Sequence, residues 1–114
     1  MINPDDVKAF QAACGQLDKY YSPLYKDLIK EEFEEFMEAY DDNDEVEMVD
    51  ACMDMIWVII GFAHTRGYDI PGAWGEVTRT NLAKLVDGKI VRDPITGKIK
   101  KPDGWEEPDF SKYV

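Results

Sequence analysis

Histidine occurs once, as His64, and cysteine twice, as Cys14 and Cys52, in a chain of 114 residues. A carboxylate-bridged di-iron bundle wants two Glu-x-x-His pairs, so a single histidine excludes it. The cysteines lack CxxC spacing and lie in amphipathic or apolar runs, which predicts buried thiols of a reducing compartment rather than a zinc site or a disulfide framework. Long hydrophobic runs are missing too, since the longest, Met55–Ala63, is too short to span a bilayer. The first residues show no cationic-then-apolar signal pattern, so a soluble cytoplasmic protein with no membrane partner is expected.

Positive charge is the other scarcity: 13 Lys and Arg stand against 24 Asp and Glu, a formal net charge of -11. Passive binding to nucleic acid or anionic lipid is thereby disfavoured. The deficit is local. Residues 31–54 hold twelve acids and no base, whereas residues 1–30 hold four of each and residues 55–114 hold eight acids and nine bases. At 45% hydrophobic and 12% aromatic residues, the chain has the material for a core. A single domain over 1–114 is expected, with a helical core over about 4–85 and a basic tail over 86–114.

The start and stop signals predict an all-α fold. Asn3-Pro4 opens a first helix that Gly15 ends, and Ser22-Pro23 opens a second, with Leu24, Leu28, Ile29, Phe33, Phe36 and Tyr40 at helical steps. Asp41-Asp42-Asn43-Asp44 is a polar turn and cap before a third helix from about Glu45 to Thr65, stopped by Gly67. That turn lacks the sixth-position Gly and regular alternation of a calcium-binding EF-hand. Pro71 opens a fourth helix through about Leu85, and Lys89–Arg92 with Lys98–Lys101 form a small hairpin before a tail rich in Pro and Trp, ordered on contact. His64, near a helix C-terminus, reads as a favoured cation rather than a base. Trp57, Tyr68 and Trp74 read as core packing before base stacking.

Projected at about 100° per residue, Glu31, Glu34 and Glu38 fall on the solvent side of the second helix, while Glu32 and Glu35 lie at the margin of its apolar face. On the third helix Glu47, Asp50 and Asp54 fall within an arc of about 60°. If the two helices form a hairpin, these carboxylates face one another. Like charges about 4 Å apart repel by roughly 4 kcal/mol at an effective dielectric near 20, so protons or cations must relieve them. Hard oxygen ligands without His or Cys suit Mg²⁺ or Mn²⁺. The third helix is also apolar around its circumference over Met55–Phe62, which predicts a homodimer or a dimer of dimers.

Glu31-Glu32-Phe33-Glu34-Glu35 followed by Glu47-Met48-Val49-Asp50 resembles the ExxE…ExxD signature of the all-α nucleoside triphosphate pyrophosphatases, the superfamily of MazG, phosphoribosyl-ATP pyrophosphohydrolase and the dimeric dUTPases. Arg79-Thr80-Asn81-Leu82-Ala83-Lys84, then Gly97-Lys98 and Lys101-Pro102, resembles the N-x-x-K and lysine-rich tail of the MazG-like branch. The resemblance implies a four-to-five-helix MazG-like bundle with a short irregular or hairpin C-terminal tail, assembled as an oligomer.

It further implies that Glu32, Glu35, Glu47 and Asp50 bind Mg²⁺, with Mn²⁺ as a substitute, and that Glu31 or Asp54 acts as an auxiliary ligand or orients water. Eleven residues separate Glu35 from Glu47, and the alternative frame through Glu31 and Glu34 points both side chains outward. Asp54 precedes Met55-Ile56-Trp57 where related sequences often have Asp-Leu-Leu-Tyr, so the division of labour between Asp50 and Asp54 stays open. Glu31 and Glu32 are the candidate catalytic carboxylates, and Arg79, Asn81, Lys84, Lys98 and Lys101 the candidate substrate contacts. The implied activity is Mg²⁺-dependent cleavage of a nucleoside triphosphate to monophosphate and pyrophosphate, for house-cleaning or control of a deoxynucleotide pool. The alternatives are a phosphoribosyl-ATP pyrophosphohydrolase-like activity, or a non-catalytic acidic helical module that docks a basic partner or senses nucleotide.

Overall fold

Four helices account for most of the chain in the computed structural model, which describes residues 1–114. Helix α1 (Pro4–Cys14) starts where Asn3 Oδ1 accepts the Asp5 N–H at 2.9 Å and ends at Gly15, whose φ of 68° is the left-handed value that favours glycine. Helix α2 (Ser22–Asp41) has Pro23 in its first turn, where a missing N–H costs nothing, and follows a 3₁₀ turn over Lys19–Tyr21 that the sequence reading did not anticipate. Helix α3 (Glu45–Thr65) is capped by Asp44, whose Oδ1 accepts the Glu47 N–H at 3.2 Å. Helix α4 (Ile70–Leu82) is capped in the same way by Asp69, through Gly72 N–H at 3.0 Å. It stops three residues before the expected Leu85, which instead enters a strand.

Two compact units divide the chain, Met1–Tyr68 and Asp69–Val114. In the first, α2 folds back on α3 across the Asp42–Asp44 turn, with Asn43 at φ 52°, and α1 packs on α3. Val7, Tyr25, Ala39, Ala51 and Val58 form its buried apolar core. A Cβ at Gly61 would land in the Tyr25 ring, so α2 and α3 meet there because glycine has none. Beside this contact the Gln11 amide, 0% exposed, donates to Gly61 O at 2.9 Å and accepts from His64 Nδ1 at 2.8 Å. Burial, reinforced by the positive charge of Lys8 against the negative Asp5, pushes the His64 pKa down. His64 does sit in the last turn of α3, but as a neutral donor to Gln11 rather than as the expected cation.

The second unit is a helix carrying a three-stranded antiparallel meander, β1 (Leu85–Val86), β2 (Lys89–Arg92) and β3 (Ile99–Lys100). Leu85 pairs with Ile90 and Arg92 with Ile99, so the expected hairpin is present with one strand more. The β1–β2 turn has positive φ at both Asp87 and Gly88, as a two-residue hairpin turn requires. The tail is ordered against α4: Trp105 Nε1 donates to Thr80 O at 2.8 Å, Asp109 N–H to Glu76 Oε2 at 2.8 Å, and Asp69 N–H to Tyr113 O at 2.9 Å. A Cβ at Gly72 would collide with the Tyr113 ring, which explains the glycine in the first turn of α4.

Two burial expectations fail, for the cysteines and for three aromatic residues. Cys14 is exposed and Cys52 half-buried, because the apolar runs that hold them cover more of the helix surface than one small core can bury. Trp74 is 70% exposed, and Trp57 and Tyr68 stand at the surface. No helix is long and apolar enough to cross a membrane.

Candidate active site

The α2–α3 hairpin sets carboxylates from both helices against one another. Glu32 is half-buried beside Leu28 and Phe36, and its Oε2 is sealed from solvent with no hydrogen-bond partner. An unpartnered buried carboxylate oxygen is costly, and the cost appears as a proton affinity. Burial first, then the adjacent Glu35 carboxyl and the charges of Asp54 and Glu31, push the Glu32 pKa up to about 7. Across the hairpin, half-buried Asp54 is pushed up by burial, then by Asp50 one turn before it, then by Glu35 on the facing helix. Glu32, Glu35, Asp50 and Asp54 therefore share one electrostatic neighbourhood.

The remaining acidic candidates lie elsewhere on these helices. Glu31, Glu34 and Glu38 are exposed, as their projection requires, and Glu34 lies 4.0 Å from Lys30. Glu31 adds to the field at Glu32 from the neighbouring position. Glu47 is exposed in the first turn of α3, where an acid favours the helix dipole, and it does not contribute to the shift at either Glu32 or Asp54. Asp54, one turn beyond Asp50, takes the place facing Glu32. No three of these side chains converge into a ready-made cage for one ion. The donor set is hard oxygen throughout, with one orphaned buried oxygen at its centre, and it could hold a small divalent cation.

In the second unit, the candidate substrate contacts separate into two groups. Arg79 is engaged by Glu76 at 2.7 Å, and the same Glu76 holds the Asp109 N–H, so both build the fold of this unit. Asn81 is exposed, and its Nδ2 donates to Val77 O at 3.1 Å while its Oδ1 accepts from Lys84 at 3.2 Å. Lys98 lies exposed before β3, and Lys101 just after it. Lys84 and Lys101 both lie over the Trp105 ring, 5.6 and 4.7 Å from its centroid. Trp105 was missed from sequence, and its one available signal was the Pro102-Asp103-Gly104 turn that brings it back beside Lys101.

A comparison with protein-family models matches residues 7–81 to phosphoribosyl-ATP pyrophosphohydrolase. The match takes in α2, α3, the whole acidic hairpin and nearly all of α4. The chain belongs to the phosphoribosyl-ATP pyrophosphohydrolase family. It is accordingly a nucleotide pyrophosphohydrolase, a hydrolase acting on acid anhydrides, with the all-α fold of the nucleoside triphosphate pyrophosphatase superfamily. A search of curated proteins finds no match to the chain. The lysines and Trp105 lie beyond the matched span.

Proposed function

We propose that the protein is a Mg²⁺-dependent nucleoside triphosphate pyrophosphohydrolase that cleaves the α–β phosphoanhydride to release nucleoside monophosphate and pyrophosphate. The observation that carries this reading is the orphaned Glu32 Oε2, its carboxyl raised in proton affinity by burial and by Glu35, Asp54 and Glu31, with Asp50 in turn raising Asp54. Such a cluster repels a polyphosphate unless a cation joins the two. Glu32, Glu35, Asp50 and Asp54 would hold it, with Glu47 one turn before Asp50 as the outermost candidate. When bound, Mg²⁺ would neutralise phosphate charge and polarise the phosphoryl oxygens, and Mn²⁺ would substitute for it. Glu32 and the adjacent Glu31 would orient the attacking water and take its proton.

A homodimer, or a dimer of dimers, completes the proposal. Val46 and Met53 on α3 and Phe33 and Tyr40 on α2 are exposed, at 77%, 50%, 52% and 64%. Phe33 follows Glu32 and Met53 precedes Asp54, so a second copy covering these apolar positions would also exclude water from the carboxylates. House-cleaning of nucleotides or control of a deoxynucleotide pool would be the setting, in the cytoplasm.

The test is pyrophosphate release from a panel of nucleoside triphosphates and phosphoribosyl-ATP, with Mg²⁺, Mn²⁺ or EDTA. Turnover that needs the cation and is lost in Glu32→Gln supports the reading. Metal-independent turnover, or folded Glu32→Gln protein of unchanged activity, contradicts it. Turnover confined to phosphoribosyl-ATP moves the substrate while keeping the chemistry.

A further inference from the structure

Helices α1 and α3 line a cleft of about 180 Å³ within the unit Met1–Tyr68. Its walls are apolar, from Val7 on α1 and Met53, Ile56, Trp57 and Ile60 on α3, and its polar side chains are those of Asn3 and Asp6. Clefts that take whole drug-sized ligands run to about 300–1,000 Å³, so this one has room for one flat ring system rather than a complete nucleotide. Trp57 is 37% exposed in it, and Phe10 stands against the indole edge-on, with ring centroids 5.7 Å apart and planes at 72°. An indole held by an edge contact and still accessible can stack on a heterocycle.

The polar end of the cleft has one sense. Asn3 Oδ1 is committed to the Asp5 N–H at 2.9 Å, whereas the Asp6 carboxylate belongs to neither ion pair of the chain, Lys30–Glu34 or Glu76–Arg79. An ionised carboxylate only accepts hydrogen bonds, so it favours an exocyclic amine over a carbonyl oxygen. The cleft also has a direction. Asp50, Met53, Trp57 and Ile60 follow one another at steps of three, four and three, which makes them one stripe of α3 that runs from the acidic hairpin into the apolar wall. Asn3 and Asp6 precede the span matched to the family, which begins at Val7, so the polar end is a feature of this chain and not of the family pattern.

We propose that this cleft receives the base of the nucleotide substrate, with Trp57 stacking on the ring and Asp6 accepting from an exocyclic amine, and so selects amino-bearing bases, cytosine or adenine, over uracil and thymine. The assignment of the occupant as a nucleotide's base rests on the pyrophosphohydrolase reading above. Recognition of the base requires neither the acidic cluster nor a cation.

The experiment is titration of the full chain in EDTA with the uncharged nucleosides cytidine, adenosine and uridine, followed by the Trp57 indole N–H resonance. Cytidine or adenosine shifts that resonance saturably, the tighter of the two naming the base, and uridine binds about tenfold more weakly. Asp6→Asn, whose amide can donate as well as accept, brings uridine to within about threefold of the preferred nucleoside. Trp57→Leu weakens all three about tenfold. In turnover, Asp6→Asn reduces by the same factor the preference in kcat/KM for the matching triphosphate over uridine triphosphate, a change in ratio that general loosening of the fold does not produce. Glu32→Gln loses turnover yet binds nucleosides as the wild type does, so failure of the catalytic reading and failure of the base site are separable. A Trp57 resonance that no nucleoside moves overturns the proposal, as does uridine binding as tightly as cytidine and adenosine, or a preference that Asp6→Asn leaves intact. Should Trp57→Leu not fold, Asp6→Asn decides.

Discussion

Residues 1–68 carry sixteen acids against five bases, and residues 69–114 carry eight of each, so the first unit holds the entire net charge of -11. The two also cohere differently. The first buries Val7, Tyr25, Ala39, Ala51 and Val58, whereas the second buries only Thr80 fully and is tied by side-chain bonds to backbone such as those of Trp105 and Glu76. The contrast extends to pH. Repulsion and burial raise Glu32 and Asp54 in the first unit, while hydrogen bonds lower Glu76, Asp93 and Asp109 in the second. Raised carboxylates mark the strained acidic hairpin; hydrogen-bonded ones mark structural joints.

The largest effect should come from the site itself. Glu32→Gln or Asp54→Asn is expected to lower kcat by about 10²–10⁴-fold, and Glu34→Gln or Glu38→Gln, on the solvent face, to leave it unchanged. Steady-state pyrophosphate release distinguishes these, and equal losses in all four would dissolve the distinction between faces of α2.

Next comes packing. Gly61→Ala pushes a methyl into the Tyr25 ring and should cost about 1–3 kcal/mol of stability. Gly75→Ala, in α4 with nothing near its Cβ, should gain up to about 1 kcal/mol from helix propensity. Urea unfolding of both variants measures how far the core difference between the units extends.

Acid–base titration should separate the units by sign. Glu32 rises from 4.5 in the unfolded chain to about 7 in the fold, so its contribution is full below 4.5 and is lost as pH rises through 7. Glu76 is held below its ordinary value by Arg79 and the Asp109 N–H, so its contribution is present above 4.5 and fades on acidification. In EDTA, the melting temperature should decline from about pH 5 to pH 8, and Mg²⁺ or Glu32→Gln should flatten that decline. At acid pH, the Asp109 amide should lose protection relative to its intrinsic exchange rate, read by hydrogen exchange. A melting temperature that rose from pH 5 to 8 in EDTA would reverse the assigned sign.

Helix boundaries were legible because caps are local: Asn3-Pro4, Ser22-Pro23 and Asp44 each bond within three residues of themselves or open the first turn. Helical projection also separated Glu32 from Glu31, Glu34 and Glu38, since a 3.6-residue period is a property of one helix. What depended on distant partners was not legible. The neutrality of His64 comes from burial on Gln11, 53 residues earlier, and Trp105 is fixed by a carbonyl 25 residues before it. The exposure of Trp74 and Cys14 follows from how little core 114 residues offer to so much apolar helix surface. Asp54 opposes Glu32 through the relative rotation of two helices, which neither helix encodes alone.

The central claim is that Glu32 and Asp54 share a divalent cation, and Mn²⁺ titration of the metal-free chain, followed by electron paramagnetic resonance, tests it most directly. The account predicts saturable Mn²⁺ binding that Glu34→Gln preserves and that Glu32→Gln and Asp54→Asn each abolish. Binding that survives both of those substitutions, or a wild-type chain that takes up no Mn²⁺, would contradict it.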